Sequence, residues 1–115
     1  MNSDEQKILA KVMSVLAEMK AEDPLVLDVH ELTAMTDFFI LAHGANTRQV
    51  QATSRHIQDA LSEAYGKKPH HLEGASRGQW ILMDYGFFIL HLFLEEKRQF
   101  YNLEGIWMDA PRLEV

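Results

Sequence analysis

The chain has 115 residues, 47% hydrophobic and 24% charged, which is the length and composition of one globular domain. Its net charge of −6 disfavours non-specific binding to phosphate backbones and favours a basic protein partner. Because it has no cysteine, disulfides, thiol catalysis and thiolate metal sites are excluded.

The sequence predicts a cytoplasmic protein without a membrane segment. No window approaches the roughly 18 consecutive apolar residues of a transmembrane helix. The first twenty residues carry charges of both signs, whereas a signal peptide has an uninterrupted apolar core. An organelle presequence would be rich in arginine and poor in acidic residues, and this N-terminus is neither.

The N-terminal segment predicts an amphipathic helix over residues 3–20. Ser3 and Gln6 form a capping-box pattern, in which side chains satisfy the first free backbone groups. Asp23-Pro24 follows and stops the helix. A short apolar strand is predicted over residues 25–29. The apolar residues that recur at helical spacing on one face are Ile8, Leu9, Val12, Val15, Leu16 and Met19.

A buried strand and a second helix are predicted next. Residues 38–42 are continuously apolar, which indicates a central strand covered on both faces. Asn46 caps a helix over residues 46–65, and Gly66 ends it. Since strand, helix and strand follow one another, the order suggests a right-handed βαβ crossover.

The C-terminal half predicts a short strand, a β-hairpin, one or two helical turns and a tail. In the second hairpin strand, Phe88, Leu90 and Leu92 share an all-apolar face that is predicted to be core. The opposite face carries His91 and is expected to be partly exposed or covered by a helix. The fold class is therefore a single α/β domain with a mixed sheet of about five strands flanked by helices. The predicted ranges in this half are 70–73, 80–84, 87–94, 95–101 and 103–115.

Polar and aromatic residues accompany the apolar runs of this half. They are strung along a sheet edge and a tail, whereas an enzyme would usually converge them on a pocket, so the pattern favours a docking surface. Trp and Tyr are the residue types enriched in interface hot spots. Phe100, Tyr101 and Trp107 either fix the tail to the sheet or contact a partner. The candidate partner-binding residues are Glu73, Trp80, Asp84, His91, Phe93, Glu95, Arg98, Tyr101 and Glu104.

Signals for catalysis or metal binding are weak. The turn from Gly44 to Arg48 could hold an anion on free N–H groups, but a single glycine and an Asn cap favour an ordinary turn. Asp37 is a candidate general base or metal ligand, although a turn carboxylate paired with Arg48 or Arg55 is the simpler interpretation. Six histidines lack metal-site spacing. No cofactor, metal or nucleophile motif is predicted.

A series of short motifs runs across residues 5–110, nearly the whole chain. No single motif is decisive, but their order and spacing together are specific. The motifs are Asp28; Thr36-Asp37-Phe38-Phe39; Gly44-x-Asn46-Thr47-Arg48-Gln49-Val50; Glu73-Gly74; Trp80; Asp84-x-Gly86; His91-x-Phe93; Arg98-x-x-Tyr101-x-Leu103-Glu104; and Trp107-x-Asp109-Ala110.

This series resembles the ribosomal silencing factor family, also called the Iojap family. The resemblance implies one domain over residues 1–115 with a nucleotidyltransferase-like topology that lacks the catalytic carboxylates. It also implies a non-enzymatic translational repressor that binds the large ribosomal subunit through ribosomal protein fourteen. There it blocks association with the small subunit by steric occlusion when nutrients run short. Members of the family in organelles are linked to ribosome assembly.

With such a basic partner, specific roles are expected for the candidate residues. Trp80, Phe93 and Tyr101 are expected at or beside the interface, where aromatic anchors supply affinity. Carboxylates are expected to face basic groups of the ribosomal protein, which aids encounter and orientation. No sequence-specific contact with nucleic acid is expected. The carboxylates are Glu73, Asp84, Glu95 and Glu104.

Three alternatives stay open at the level of sequence. One is a nucleotide-binding or residual nucleotidyltransferase-type enzyme that uses residues 44–48 with Asp37. Another is a large-subunit assembly factor with the same partner. A homodimer is also open, because sheet edges must be covered or paired. Three features depart from the family pattern. His43 replaces a small residue, and the connection around Glu31-Leu32 lacks the usual basic and Ser-rich character. Phe87 replaces an acidic residue and is expected to expose an aromatic ring for self-association.

Overall fold

A mixed sheet of six strands forms the centre of the fold, which the computed structural model describes for residues 1–115. The strands are β1 (Glu22–Asp28), β2 (Phe38–Gly44), β3 (His71–Glu73), β4 (Trp80–Asp84), β5 (Phe88–Leu94) and β6 (Arg112–Leu113). They lie in the order β3-β4-β5-β2-β1-β6, and only the β2–β5 pair is parallel. The α/β class is confirmed, but the sheet has six strands and not about five. The sequence did not reveal β6, because a strand of two residues is too short to show an alternating pattern.

The first helix begins at Ser3 as predicted, but its N-cap is one residue earlier than the predicted one. In α1 (Ser3–Glu18), the Asn2 side chain accepts the Glu5 N–H at 2.8 Å, and the Glu5 carboxylate accepts the Asn2 N–H at 3.2 Å. The predicted box at Ser3 was therefore wrong, because the true N-cap is Asn2. The helix also ends before the predicted residue, and Lys20 with a φ of +59° turns the chain.

The second helix, α2 (Thr47–Tyr65), has the predicted caps. The Asn46 side chain accepts the Gln49 N–H at 2.9 Å, and Gly66 ends the helix in the left-handed conformation. The predicted crossover joins strands that are not neighbours, because α2 leads from β2 to β3 at the far edge and the chain returns through β4 to β5. No helix of the fold combines the length and apolarity needed to span a membrane.

The sheet carries a hydrophobic cluster on each face. One cluster lies under α1 and α2 and contains Phe88, Leu90 and Leu92 of β5, which confirms the predicted core face. The other cluster contains Phe39, Leu41, Ile89 and Phe93, and residues of the C-terminal segment cover it. The face of His91 is therefore buried by the tail. The covering residues are Leu103, Trp107 and Ala110.

The hairpin tip is better packed than the sequence suggested. Phe87 precedes β5 and is half-buried, with its ring edge-on to Phe38 at a centroid distance of 6.5 Å. The Asp84 carboxylate accepts the Gly86 N–H at 2.8 Å, which closes the turn. Gly86 itself has a φ of +92°, a conformation that glycine adopts without strain. The expected exposure of Phe87 for self-association is corrected by this packing.

Candidate functional site

A short helix divides one end of the sheet into two neighbouring surfaces. This helix, α3 (Glu95–Tyr101), continues directly from β5 and is followed by α4 (Leu103–Ile106). Lys97 and Tyr101 are four residues apart, share one side of α3 and line a cavity with Trp80, which we call the aromatic surface. Arg98 lies on the other side of α3 and lines a groove of about 610 Å³ with several carboxylates, which we call the acidic groove. Its carboxylates are those of Asp23, Glu95 and Glu104, and they outnumber its two arginines, Arg98 and Arg112, by one.

Trp80 connects the aromatic surface to the hydrophobic interior. Its ring centroid lies 4.6 Å from that of Tyr101 and 5.0 Å from that of Phe93. The indole N–H donates to Nδ1 of His91 at 3.1 Å, so the ring is fixed by a hydrogen bond as well as by packing. Tyr101 is 43% exposed and Phe93 is fully buried. Such a half-buried aromatic pair is typical of an interface anchor.

His91 is a buried residue that positions Trp80. It is 5% exposed, and its Nε2 atom has no hydrogen-bond partner. Burial lowers the pKa of His91 to about 4, so the ring is neutral at physiological pH. A neutral ring that accepts a hydrogen bond at Nδ1 carries its proton on Nε2. The side chain therefore holds the indole in place from beneath the surface.

The low pKa of His91 predicts a specific loss of stability in mild acid. Unfolded His91 takes up a proton near pH 6.5, whereas folded His91 does so only near pH 4. The unfolded state thus binds more protons between these values, and stability falls as pH falls. We expect about 1.5 kcal/mol of the free energy of unfolding to be lost between pH 6.5 and 5. Urea unfolding at several pH values measures this loss.

The control for this prediction is His91→Asn, which keeps an acceptor near the Nδ1 position but does not titrate. All other ionisable groups, including His30, are the same in both proteins. The difference in pH slope between the wild type and the variant therefore isolates His91. Equal slopes over this range would contradict the assignment of the neutral ring.

Arg98 is the centre of the hydrogen-bond network beneath the acidic groove. It is 8% exposed, and its Nε–H donates to the Glu104 carboxylate at 2.9 Å. Its Nη1 donates to the backbone carbonyl of Asp23 at 2.8 Å and contacts that of Glu22 at 3.3 Å. The same nitrogen donates to Nδ1 of His43 at 3.0 Å. One guanidinium thus joins α3 and α4 to β1 and β2.

The same network brings together three potential metal ligands that sequence spacing did not connect. The ligand atoms of Glu22, His43 and Glu95 lie within 4.8 Å of one another. Nε2 of His43 lies 3.0 Å from the Glu22 carboxylate. Because Arg98 donates to Nδ1, the neutral ring carries its proton on Nε2 and has no lone pair there for a metal. The arrangement is a hydrogen-bond network that anchors β1, and metal binding would require Arg98 to move away.

Some of the predicted partner-binding residues lie on these surfaces and others support them. Trp80 and Tyr101 meet at the aromatic surface. Glu95 and Glu104 line the acidic groove. Glu73 lies on the edge strand β3, opposite Leu82 of β4, and is exposed. Three of the predicted residues lie in the interior, where they position the surface from below: His91, Phe93 and Arg98.

Asp84 lies apart from the other predicted residues. It is at the opposite end of β4 from Trp80, four residues along the strand, which corresponds to about 13 Å. Its carboxylate is engaged in the hairpin turn. A partner that covers both Trp80 and Asp84 would have to extend along the whole of β4.

Sequence reasoning missed two basic residues of the aromatic surface. Arg77 and Lys97 line the same cavity as Trp80 and Tyr101. The four-residue spacing of Lys97 and Tyr101 on a predicted helix was a signal that could have placed them together. Arg77 comes from the loop before β4, and no local pattern indicated its position. The surface is therefore aromatic with a basic rim, beside a groove that is acidic.

The residues proposed for nucleotide chemistry do not converge on one site. Asp37 precedes β2, and the turn from Gly44 to Arg48 follows it, so about 20 Å of strand separates them. The turn itself is closed by the side chains of Asn46 and Gln49, which bond backbone N–H groups at 2.9 Å. Asp37 forms no ion pair with an arginine. It lines a separate cavity beside the paired side chains of Asp28 and His30.

Residues 2–115 match the family model described as "Ribosomal silencing factor during starvation". The chain belongs to this family. It is 37% identical over 111 residues to the ribosomal silencing factor RsfS of Bacillus subtilis, covering 96% of this chain and 93% of that protein. It is also 29% identical over 102 residues to a mouse protein named mitochondrial assembly of ribosomal large subunit protein 1, covering 84% of this chain and 43% of that protein.

Solved structures of relatives have the same fold as this member of the ribosomal silencing factor family. A crystal structure of a Chromobacterium violaceum protein is 33% identical with a TM-score of 0.84, covering 89% of this chain and 84% of that one. A Bacillus halodurans structure is 31% identical with a TM-score of 0.83, covering 96% and 99%. The resemblance drawn from the motifs is confirmed. The family name denotes a regulatory rather than a catalytic role, and the family and its organelle relatives are associated with the ribosome.

Proposed function

We propose that the protein is a cytoplasmic translational repressor that binds the large ribosomal subunit through ribosomal protein fourteen and blocks joining of the small subunit. The observation that carries this proposal is the half-exposed pair of Trp80 and Tyr101 beside the acidic groove. Ribosomal proteins are basic, so a groove lined with carboxylates favours their approach and orientation. Family membership supplies the ribosomal context.

The aromatic surface and the acidic groove would make different contributions to binding. The aromatic pair buries apolar area and supplies most of the affinity, as central anchors do. Glu95 is exposed and forms no ion pair within the chain, so its carboxylate is free to meet a Lys or Arg of the partner. Exposed apolar side chains on the same tail extend the contact area. They are Phe100, Ile106 and Met108.

The mechanism needs no reaction, because a bound protein at the subunit interface occludes the small subunit. Repression then follows the fraction of large subunits that are occupied. In a sucrose-gradient assay with purified subunits, we expect saturating protein to shift the assembled ribosome peak into separate subunits. At the lowest concentration that saturates with the wild type, Tyr101→Ala protein should leave most of the joining intact, because it lacks an exposed anchor but keeps the buried Arg98 network. Normal joining in the presence of bound wild-type protein would refute occlusion.

A role in assembly of the large subunit is the second candidate, and the name of the mouse relative favours it. It uses the same partner, so the binding surfaces do not separate the two roles. Depletion of the protein does: an assembly role predicts accumulation of immature large subunits during growth, whereas a repressor predicts excess joining during starvation. A homodimer would have to form mainly through side chains, because the edge strands β3 and β6 have only three and two residues.

A further inference from the structure

We infer that the aromatic surface also carries a contact site for a backbone phosphate of ribosomal RNA, formed by Arg77 and Lys97. The two cations line one cavity of about 140 Å³ together with Gln79, Trp80 and Tyr101. A water occupies about 30 Å³ in the liquid, so this cavity holds several waters or one small anionic group. This inference rests on the proposed binding to the large subunit.

The two cations are available for a partner. Neither Arg77 nor Lys97 forms an ion pair within the chain, although acidic residues outnumber basic ones by 17 to 11. Two unpaired cations beside two aromatic rings attract an anion, and an Arg guanidinium fits a phosphate in a bidentate geometry. On a large subunit whose proteins are basic, the anions in abundance are RNA phosphates. We therefore assign a phosphate, and not a protein carboxylate, to this cavity.

The loop that carries Arg77 is held rigidly. The Gln51 side chain of α2 donates to the backbone carbonyls of Ala75 and Ser76, each at 3.1 Å. Gly78 has a φ of +68°, and a Cβ there would lie 2.8 Å from the Thr47 carbonyl oxygen. The loop thus lies directly against the start of α2. Because this backbone is already fixed, only the side chain of Arg77 has to be ordered when it binds, which favours a defined contact.

The arrangement of charge gives the docking site two poles. The basic pair lies on one side of α3 and the carboxylates of the acidic groove lie on the other. In one orientation only, a basic ribosomal protein would contact the groove while an adjacent RNA backbone contacts Arg77 and Lys97. Reversing the protein would place carboxylates against phosphates, which costs affinity. The pair therefore specifies the orientation of docking on the subunit.

The test compares the wild type with the double variant Arg77→Gln and Lys97→Gln. Binding is measured by co-sedimentation with purified large subunits over a series of salt concentrations, and separately with isolated ribosomal protein fourteen. We expect affinity for the subunit to fall about tenfold at low salt. The slope of log affinity against log salt should become shallower by about 1 to 2. Affinity for the isolated protein should not change.

The matched control is Lys67→Gln with Lys68→Gln, which removes the same charge. These residues follow the far end of the 19-residue α2, about 28 Å from the loop at its start. An equal loss with the control, or no loss with the double variant, overturns the phosphate contact while wild-type binding still supports the proposed function. A loss toward isolated ribosomal protein fourteen would assign the cavity to a protein carboxylate instead. Failure of the wild type to bind subunits would overturn the proposed function itself.

Discussion

Replacing Arg98 with alanine is expected to lower the free energy of unfolding by about 3 kcal/mol or more. The guanidinium is almost fully buried and serves the Glu104 carboxylate, the Asp23 carbonyl and the His43 ring at once. Its removal leaves these acceptors without their donor in a place that water reaches poorly. Loss of one partner from a buried charged network typically costs about 3–5 kcal/mol, and partial exposure of Glu104 places this case near the lower end. Urea unfolding monitored by circular dichroism measures the change.

Two further variants distinguish the stability that comes from the Arg98 hydrogen bonds from the stability that comes from its positive charge. Arg98→Lys keeps the positive charge but cannot direct separate N–H groups to Glu104 and to His43, so we expect more than half of the loss to remain. Arg112→Ala removes a cation that lines the same groove but is exposed, so it should change stability by less than about 0.5 kcal/mol. Equal effects of Arg98→Ala and Arg112→Ala would show that the network adds no stability.

The Arg98 variant should also weaken binding to the large subunit. Arg98 joins α3 to β1 and β2, and α3 carries Tyr101 and Lys97. A loosened helix would have to be ordered again on binding, and that ordering reduces affinity. The loss of affinity should therefore accompany the loss of stability.

Replacing Trp80 with alanine is expected to reduce affinity for the large subunit by at least about thirtyfold. A central aromatic anchor typically contributes about 2 kcal/mol or more to binding. Here the truncation also removes the indole ring against which Tyr101 packs, at a centroid distance of 4.6 Å. Because Trp80 contacts Phe93 and His91 as well, the variant should lose stability, near the lower end of the range of about 3–5 kcal/mol seen for buried Trp or Phe to Ala.

The effect on binding must be separated from the effect on folding. Leu82→Ala is the matched control, because Leu82 lies two residues further along β4 and packs against the same hydrophobic cluster. It should lose stability but keep most of its affinity when both variants are measured at a temperature where circular dichroism shows them folded. If Trp80→Ala binds as tightly as Leu82→Ala, the interface lies elsewhere on the molecule.

Local patterns in the sequence were sufficient for most of the fold. The alternation in β5 placed Phe88, Leu90 and Leu92 on the core face because a strand has a strict period of two. Asn46 and Gly66 marked the ends of α2 because each has a distinct conformational role there. The capping box of α1 was displaced by one residue because Asn2, Ser3 and their partners form overlapping patterns of similar chemistry.

The functional surfaces were less predictable because they depend on contacts between distant parts of the chain. Arg98 and His43 are 55 residues apart, and no spacing rule connects them. The sequence marked Arg98 only as a polar residue beside an apolar run. Trp107 and Phe100 had equivalent signals, yet Trp107 packs edge-on against Phe39 while Phe100 is 77% exposed. Asn102 lies between them with a φ of +48°, so the chain changes direction between the two aromatic residues.

Because the C-terminal segment covers the second face of the sheet, the two faces are covered at different times during synthesis. Synthesis proceeds from the N-terminus, so α1 and α2 can cover their face as soon as β5 pairs with β2. The opposite face, with Phe39, Leu41 and Ile89, stays bare until Leu103 and Trp107 have been made. A nascent chain at that stage has an exposed apolar sheet face and lacks α4. A chain truncated before Leu103 would therefore leave Phe39, Leu41 and Ile89 without their cover, and such an exposed apolar sheet face is prone to aggregation.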